Sequence, residues 1–521
     1  MTFTSVAAAD QATISVDGRF GDWDEVTMVV NDPAGDGGGG VDLTSLHIAD
    51  DERFLFLQVE ASDDFDLSED NALRLYLDTD ANASTGLSIA GIGAELEWRF
   101  GQRWGTFYHG GDSTDVYHDA VRFRGAPTIL DNRYELAVGR DAIPDGVNPL
   151  FTQSTVRVAI IDNDSGDTIP SSGTLTYTLD VGWASPPEPR PLSRLHPDHL
   201  RIITHNVLHD APYDPEQEAK FRRMWASVSP DILHIQEIYD HTAAETRDKI
   251  ASWLGGTWYA AEEYDCQTIS RYPILGSWAI DANLAVLIDT TEPLGTEMLC
   301  INAHLPCCNS DTGRQAEADA IIAFVRDAYQ SGGVVTLGPE VPLLIAGDMN
   351  FVGLAGQLET LLTGNIADNA AFGPDAPPDP DGTDLANIVS RQTEKRMGYT
   401  WRDDLSSFWP GHLDYLIYSD SNLSLRYDFI LYTPEMSPAE LTKNGLEPSD
   451  SLGSDHILFC ADFALPCIAD ITGDGVVGVD EIMAVIGLWG ACSDCPEDLT
   501  GDGSVDADDL LLVLAEWGVC S

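Results

Sequence analysis

The chain has 521 residues, 43% of them hydrophobic, with 86 acidic against 27 basic residues and a formal net charge of −59. That length exceeds what one hydrophobic core supports, so two or three domains are expected. The charge repels polyanions at long range and keeps the surface soluble in salt, which a halophilic or marine source or abundant Ca²⁺ sites would explain. Nine cysteines, four of them in the last 55 residues, fit an extracellular or periplasmic compartment that permits disulfides. No apolar run is long enough for a transmembrane segment, and Leu510 to Leu514 is too short. Met1 to Ala9 lacks the basic start of a signal peptide, although Val6-Ala7-Ala8-Ala9 has the small residues of a cleavage site. A secreted or cell-surface attached protein is therefore expected from its other features.

Residues 10–182 contain short apolar-alternating runs at Leu46 to Ile48, Phe54 to Val59, Leu73 to Leu77, Val156 to Ile161 and Leu175 to Leu179. Gly/Asp-rich turns separate them and no helix-length periodic stretch intervenes, which predicts an antiparallel β-sandwich. Through Val16-Asp17-Gly18, Asp22-Trp23, Asp50-Asp51 and Asp78-Thr79-Asp80 the segment resembles family-9-like carbohydrate-binding sandwiches. The resemblance implies a glycan partner. Trp98 and Trp104 are candidate sugar-stacking rings, with core packing as the alternative. Asp78, Asp80 and Asn82 are candidate Ca²⁺ ligands, with a plain acidic turn as the alternative. Residues 183–198 form a linker whose prolines, between Ala184 and Pro197, predict an extended, semi-rigid spacer.

From 199 to 465 the pattern changes. Predicted strands at Arg201 to Thr204, Ile232 to Gln236, Met298 to Ala303 and Pro342 to Ala346 alternate with helical stretches at Glu216 to Val228 and Gly313 to Tyr329, an α/β arrangement. Polar residues suited to metal or proton chemistry follow apolar runs in order: Asn206, Glu237, His304, Asp348 and Asn350 in Gly347-Asp348-Met349-Asn350, Asp414, then Asp455-His456. Strand ends are where α/β sheets place reacting groups. Cleaving a phosphodiester needs a hard cation for the phosphoryl oxygens, an aligned water, and an acid for the leaving oxygen. Mg²⁺ or Mn²⁺ prefers carboxylate and amide oxygens, which Glu237, Asn206 and Asp455 offer. Two histidines, each with a carboxylate within reach as a candidate partner, would supply proton transfer and positive charge.

Each motif is weak alone, but in this order the set resembles the endonuclease/exonuclease/phosphatase superfamily of DNase I-like enzymes. The resemblance implies a four-layer α/β sandwich of two mixed β-sheets covered by helices. It implies a metal-dependent hydrolase of phosphoric esters, read first as a phosphodiesterase or nuclease. A phosphatase or phospholipid/sugar-phosphate esterase of the same fold, and an inactive surface-attached binding protein, are the alternatives. Glu237 would bind the metal, with Asn206 and Asp455 nearby. His456, oriented by Asp414, would act as base or hold the phosphate, and His304 would be a second phosphate-facing histidine and candidate acid. Asp348 and Asn350 would position water, metal or phosphate. Arg271 in Ser270-Arg271-Tyr272-Pro273-Ile274 and Arg402 beside Trp401 are candidate phosphate contacts, with a surface arginine as the alternative for Arg271; Trp401 itself is read as core before substrate platform. Cys266, Cys300, Cys307 and Cys308 either staple the rim of the site or are free thiols. Residues 201 to 465 hold 40 acidic and 15 basic residues, which weakens the case for long duplex DNA, since such binding rests on Lys/Arg–phosphate pairs.

The tail, 467–521, repeats at an interval of 28. In a 12-residue calcium loop, alternate positions and the last face the ion and the sixth is Gly. Asp470, Thr472, Asp474 and Glu481 fit in the first copy, and Asp498, Thr500, Asp502, Asp506 and Asp509 in the second. Each loop runs into an apolar helix, Ile482 to Trp489 and Leu510 to Trp517. The duplicated loop–helix looks like a dockerin, which implies a cohesin-like partner. If its helices pack antiparallel, Cys467–Cys520 and Cys492–Cys495 are favoured among three pairings.

Overall fold

The structure, a computed structural model, describes residues 4–7, 12–27, 29–180, 182, 184–472, 475–492 and 495–519. Its N-terminal part is built of two β-sheets. The larger runs in the order Thr4–Ala7, Thr174–Thr178, Thr155–Asp162, Leu73–Asp78, Leu96–Arg99, Trp104–His109, Asp112–Val116, with Thr168–Ile169 beside Thr155–Asp162. The smaller runs Arg124–Ala126, Asp131–Gly139, Phe54–Phe65, Leu43–Asp50, Val29–Asn31. Pairing is antiparallel except at the edge, where Thr4–Ala7 lies parallel to Thr174–Thr178. Leu55, Leu57 and Val59 point into a core shared with Leu75, Trp98 and Ile160 of the facing sheet. Trp98 is fully buried there, stacked on Phe123 at 4.8 Å, so it is core and not a sugar platform. Trp104 is half-buried beneath the Arg99 guanidinium, 4.0 Å from its ring.

Two six-stranded mixed sheets follow. One runs Tyr259–Glu263, Cys266–Ser270, Ile232–Gln236, Leu200–Asn206, Phe459–Ala464, Ser424–Ile430, and the other Ile274–Ile280, Asn283–Ile288, Met298–His304, Leu343–Asp348, Asp414–Tyr418, Ala386–Asn387. Ile202, Ile232 and Phe459 of the first share a core with Val286, Leu344 and Leu416 of the second. Helices cover the outer faces because their apolar residues recur at helical spacing. Glu218–Val228 buries Phe221, Met224, Trp225 and Val228, and Asp311–Ala328 buries Ala318, Ile321, Ile322 and Val325. Thr242 and Glu245 start the Ala243–Leu254 helix with a reciprocal capping box. Away from the site, Arg201 and Asp462 form a buried two-pronged ion pair, Nε–Oδ1 and Nη2–Oδ2 both 2.6 Å, which pins two neighbouring strands. No helix among the described residues is long and apolar enough to cross a membrane.

The two parts are not beads on a spacer. The proline-rich stretch is docked: Leu192 is buried with Phe221 and Met224, and Arg190 pairs with Asp428 at 2.6 Å. Phe54 and Phe56 leave the sandwich core on the opposite side of their strand and join the core of the α/β sheets, together with Ile14, Val16 and Trp23. In return Trp409, from a loop of the α/β part, is buried in the sandwich core with its ring 5.0 Å from Phe123. In the tail the helices are Val479–Gly487 and Ala507–Ala515, about a turn earlier than expected. Glu481 and Asp509, the twelfth loop positions, sit in their first turns and accept from the Gly478 and Asp506 amides, which begins each helix before its apolar run. Cys492 and Cys495 are bonded, whereas Asp474 and Cys520 lie outside the described residues. Because each part completes the core of the other, residues 12–465 should unfold in one calorimetric transition. Trp409→Ala should cost about 3–5 kcal/mol, and two well-separated transitions for these residues would contradict the shared core.

Candidate active site

The strand ends bring most of the expected polar residues into one cleft of about 700 Å³. Asn206 ends its strand, fully buried, and its amide bridges two carboxylates: Nδ2 donates to Glu237 Oε1 at 2.9 Å and to Asp348 Oδ2 at 3.0 Å. Glu237 follows Ile232–Gln236 with a φ of 67°, an uncommon conformation for a side-chain-bearing residue that turns it toward the cleft. Its Oε2 accepts from the His209 amide at 3.0 Å. Asp348 closes the Leu343–Asp348 strand. The preceding Gly347 has a φ of 149°, and a Cβ there would collide with the Ala303 carbonyl, so glycine lets this strand end approach its neighbour. Asn350 is placed by its own amide on Asp348 Oδ1, 3.0 Å, and by Nδ2 donating to the Leu305 carbonyl, 3.0 Å.

Both histidines are backed by carboxylates. His456 Nδ1 lies 2.8 Å from Asp414 Oδ2, and its Nε2 faces Asp348 Oδ2 at 3.4 Å. His304 Nδ1 lies 2.6 Å from Asp265 Oδ2, and its Nε2 faces the same Asp348 oxygen at 3.6 Å. Burial opposes charge on His456, but Asp414 and Asp348 outweigh it and raise its pKa to about 10. Burial likewise opposes charge on His304, and Asp265, then Asp348, raise it to about 9. Burial pushes Asp414 up and the His456 charge pulls it back, so the pair is an imidazolium–carboxylate at neutral pH. Asp455 accepts from Trp401 Nε1 at 2.9 Å, so Trp401 is neither core nor bare platform but the cleft-lining residue that orients Asp455.

The Asn206–Asp348, His456–Asp414, His456–Asp348 and His304–Asp265 pairs cross from one sheet to the other, whereas Asn206–Glu237 and His304–Asp348 each stay within one. Asn206, Glu237, Asp265 and His456 belong to the first sheet and its connections, whereas Asp348, His304 and Asp414 belong to the second. Gln236 Nε2 donating to Asn302 Oδ1 at 2.6 Å repeats the pattern one layer below.

Asn206 and Asp414 are buried behind the cleft wall, and two other expected residues lie away from it. Arg271 follows Ser270, which pairs with Ile232 at the start of the strand whose far end carries Glu237. It therefore sits at the opposite end of the sheet, over Trp258 at 4.2 Å. Arg402 donates its backbone N–H to the Asp455 carbonyl, but its side chain turns away to Tyr432, Asp119 and Asp404. There it lines a separate cavity of about 950 Å³ between the two parts, whose Arg53 and Arg122 face Glu435 and Asp141. Cys266 and Cys300 are buried free thiols and Cys307 and Cys308 exposed ones, so no disulfide staples the rim. His205 and His412 are buried structural rings whose pKa values burial lowers to about 3 and about 4.

Asp265 was not singled out from sequence. It lies in the short turn before Cys266–Ser270, where an aspartate is ordinary turn chemistry; only the pairing of that strand beside Ile232–Gln236 brings it to His304.

Asp348, Asp414 and His456 offer ligand atoms within 4.8 Å of one another. In the sandwich, Asp78, Asp80 and Glu95 do the same, and the neighbouring Asn82 donates its backbone N–H to Asp78 and Asp80. Asp32, Asp36 and Asp167 form a third such group.

The chain matches no family model and no curated protein. Similar solved structures include ANGEL2, a 2′,3′-cyclic phosphatase, in complex with adenosine-2′,3′-vanadate, at 17% identity, 51% of this chain, 95% of that chain and a TM-score of 0.36. The human Nocturnin catalytic domain with bound sulfate matches at 18%, 52%, 95% and 0.32. An endonuclease/exonuclease/phosphatase family protein from Leptotrichia buccalis matches at 13%, 51%, 99% and 0.34. Likeness at this level assigns no activity to this chain.

In EDTA-treated protein, a histidine NMR titration should show His304 and His456 still protonated at pH 8 while His205 and His412 are neutral. Both active imidazoles are raised above the unfolded value of about 6.5. The stability they add is therefore complete below that pH and is lost as pH rises through 9 to 10. Asp265→Asn should bring the His304 midpoint down toward 6.5 or below; an unmoved midpoint would refute the pairing.

Proposed function

We propose that this chain is a secreted, divalent-metal-dependent phosphoesterase, a phosphodiesterase before a phosphatase or a lipid/sugar-phosphate esterase. The two covered sheets are read as the four-layer sandwich of the endonuclease/exonuclease/phosphatase superfamily. One observation supports this above the others: two imidazoles, each held by a buried carboxylate, aim their Nε2 atoms at one Asp348 oxygen beside Glu237. The oxygen-rich donors suit a hard cation. Glu237, Asp348 and Asp455 line the cleft, and among the described lining residues there is no Lys or Arg to balance them. Glu237, with Asn206 and Asp455, would hold Mg²⁺ or Mn²⁺, which when bound neutralises phosphoryl oxygens.

The chain's own groups then divide the work. His456 and His304, charged at neutral pH, donate hydrogen bonds to phosphoryl oxygens, and one gives its proton to the leaving oxygen. Asp348, accepting from Asn206 and flanked by both imidazoles, aligns the attacking water and takes its proton as the P–O bond to the leaving oxygen breaks. Asp414 and Asp265 keep Nδ1 protonated so that Nε2 faces the substrate. Hydrolysis of bis(p-nitrophenyl) phosphate should appear with Mg²⁺ or Mn²⁺ and vanish with EDTA. His304→Ala and His456→Ala should each lower kcat by at least ~10² with the fold intact; wild-type rates in both would retire the reading.

The tail is read as a dockerin-like Ca²⁺ module for a cohesin-like partner, and the Asp78–Asp80–Glu95 cluster as a second Ca²⁺ position. In the tail Asp470 and Asp498 accept from the Gly475 and Gly503 amides, each 2.8 Å, as a calcium loop's first residue does on turning the chain around an ion. Chelation should cost the tail its helicity in circular dichroism, and a spectrum indifferent to EGTA would argue against Ca²⁺.

A further inference from the structure

We infer that the β-sandwich is part of the substrate site, and that the cleft it walls takes small diesters with one phosphoryl group between uncharged, flat or apolar groups and rejects polyanionic chains. This rests on the phosphoesterase reading and adds to it the substrate class. Leu67, Ser68 and Thr128, all from the sandwich, line the same cleft as His304 and His456. Their position is fixed. Thr128 Oγ1 donates to the Phe351 carbonyl at 2.7 Å and the Leu130 amide to the Gly353 carbonyl at 2.7 Å, both just past Asn350. From the other direction, the loop carrying Trp401 and Phe408 is anchored by Trp409 in the sandwich core. Arg103 clamps the two, with its guanidinium 4.0 Å from the Phe408 ring centroid and Nη1 donating to the Ser68 carbonyl at 2.8 Å.

The charge of this enclosure is one-sided. Asp66 and Glu317 join Glu237, Asp265, Asp348 and Asp455 on its walls, and no Lys or Arg lines it among the described residues. Arg103, which clamps the sandwich wall to the Phe408 loop, pairs with Glu69 at 3.1 Å. Each further phosphate of a nucleic-acid strand would need its own cation and would meet carboxylates instead. The volume, about 700 Å³, is that of a small-molecule site. At its mouth Tyr239 and Tyr264 are 42% and 73% exposed and set edge to face, centroids 6.0 Å apart. Such rings hold flat uncharged groups by stacking.

The test uses the full chain with Mg²⁺ or Mn²⁺ and compares bis(p-nitrophenyl) phosphate, a dinucleoside monophosphate and single-stranded oligothymidylates of increasing length. At low salt kcat/KM per bond should fall by at least ~10-fold from the dinucleoside to the long oligonucleotides, and the gap should narrow as salt rises. Tyr239→Ala and Tyr264→Ala should raise KM for bis(p-nitrophenyl) phosphate by roughly 5-fold or more. Ser68→Lys, which places a cation on the sandwich wall, should shrink the oligonucleotide deficit several-fold. Rates that climb with chain length, or a Ser68→Lys protein with an unaltered oligonucleotide-to-dinucleoside ratio, would overturn the inference. Failure to hydrolyse any of the substrates would instead count against the phosphoesterase reading beneath it.

Discussion

Two sheets must pack in a single register for this site to exist. Asn206 reaches Asp348, Asp265 reaches His304, and His456 reaches Asp414, and in each pair the partners come from opposite sheets. These groups are nearly all buried: Asp265, Asp348 and Asp414 are at most 2% exposed. A buried carboxylate without donors would take up a proton rather than stay charged. The cross-sheet contacts therefore supply the partners these buried groups need, and the apolar layer of Ile202, Val286, Leu344 and Phe459 is what holds those contacts at hydrogen-bonding distance. A slip of one residue in either inner strand would turn its terminal polar side chain to the other face of its sheet.

The same logic extends outward to the sandwich. The Phe54–Phe65 strand is buried on both faces over its first six residues, because Leu55, Leu57 and Val59 fill the sandwich while Phe54 and Phe56 meet the α/β sheets. A continuous apolar run of this kind signals a strand with no solvent face. The loop that orients Asp455 through Trp401 is held at its far end by Trp409 among sandwich aromatics. Packing in one part thus sets the position of a metal-ligand candidate in the other.

Much of this was legible in the sequence, for identifiable reasons. Asn206, Glu237, His304, Asp348 and Asp414 each abut an apolar strand-length run, and strand ends announce themselves through that change of texture. The Gly347-Asp348-Met349-Asn350 stretch was readable from Asp348 and Asn350 after an apolar run, whereas the need for glycine at 347, where the chain nears Ala303, emerges only from the packing. Asp265 was hidden because its role depends on which strands become neighbours, and a turn aspartate says nothing of that. The arginines misled for different reasons: strand pairing puts Arg271 at the opposite end of its sheet, whereas Arg402, next to Trp401, turns its side chain away from the cleft. The prolines from Ala184 to Pro197 gave no sign of docking, since Leu192 and Arg190 find partners far along the chain, Phe221 and Met224 for the first and Asp428 for the second.

Acidity acts in this protein at two ranges that salt separates. The surface charge implied by a net −59 is felt beyond contact distance and fades within a Debye length, about 8 Å at physiological ionic strength. The carboxylates of the cleft stand within a few ångströms of any bound phosphoryl group, where little electrolyte intervenes. High salt would therefore remove the long-range barrier against polyanions and leave the short-range one in place. In the proposed site the opposing charge would come from His304, His456 and a divalent cation, an allotment sized for a single phosphoryl group. A substrate with one phosphate meets that compensation in full, whereas a second phosphate along a strand would lie against Asp66 or Glu317 with nothing to offset it. Selectivity for small esters would on this account be a property of where the cations are, and the sandwich would add to it by setting Asp66, Leu67 and Ser68 on the cleft wall.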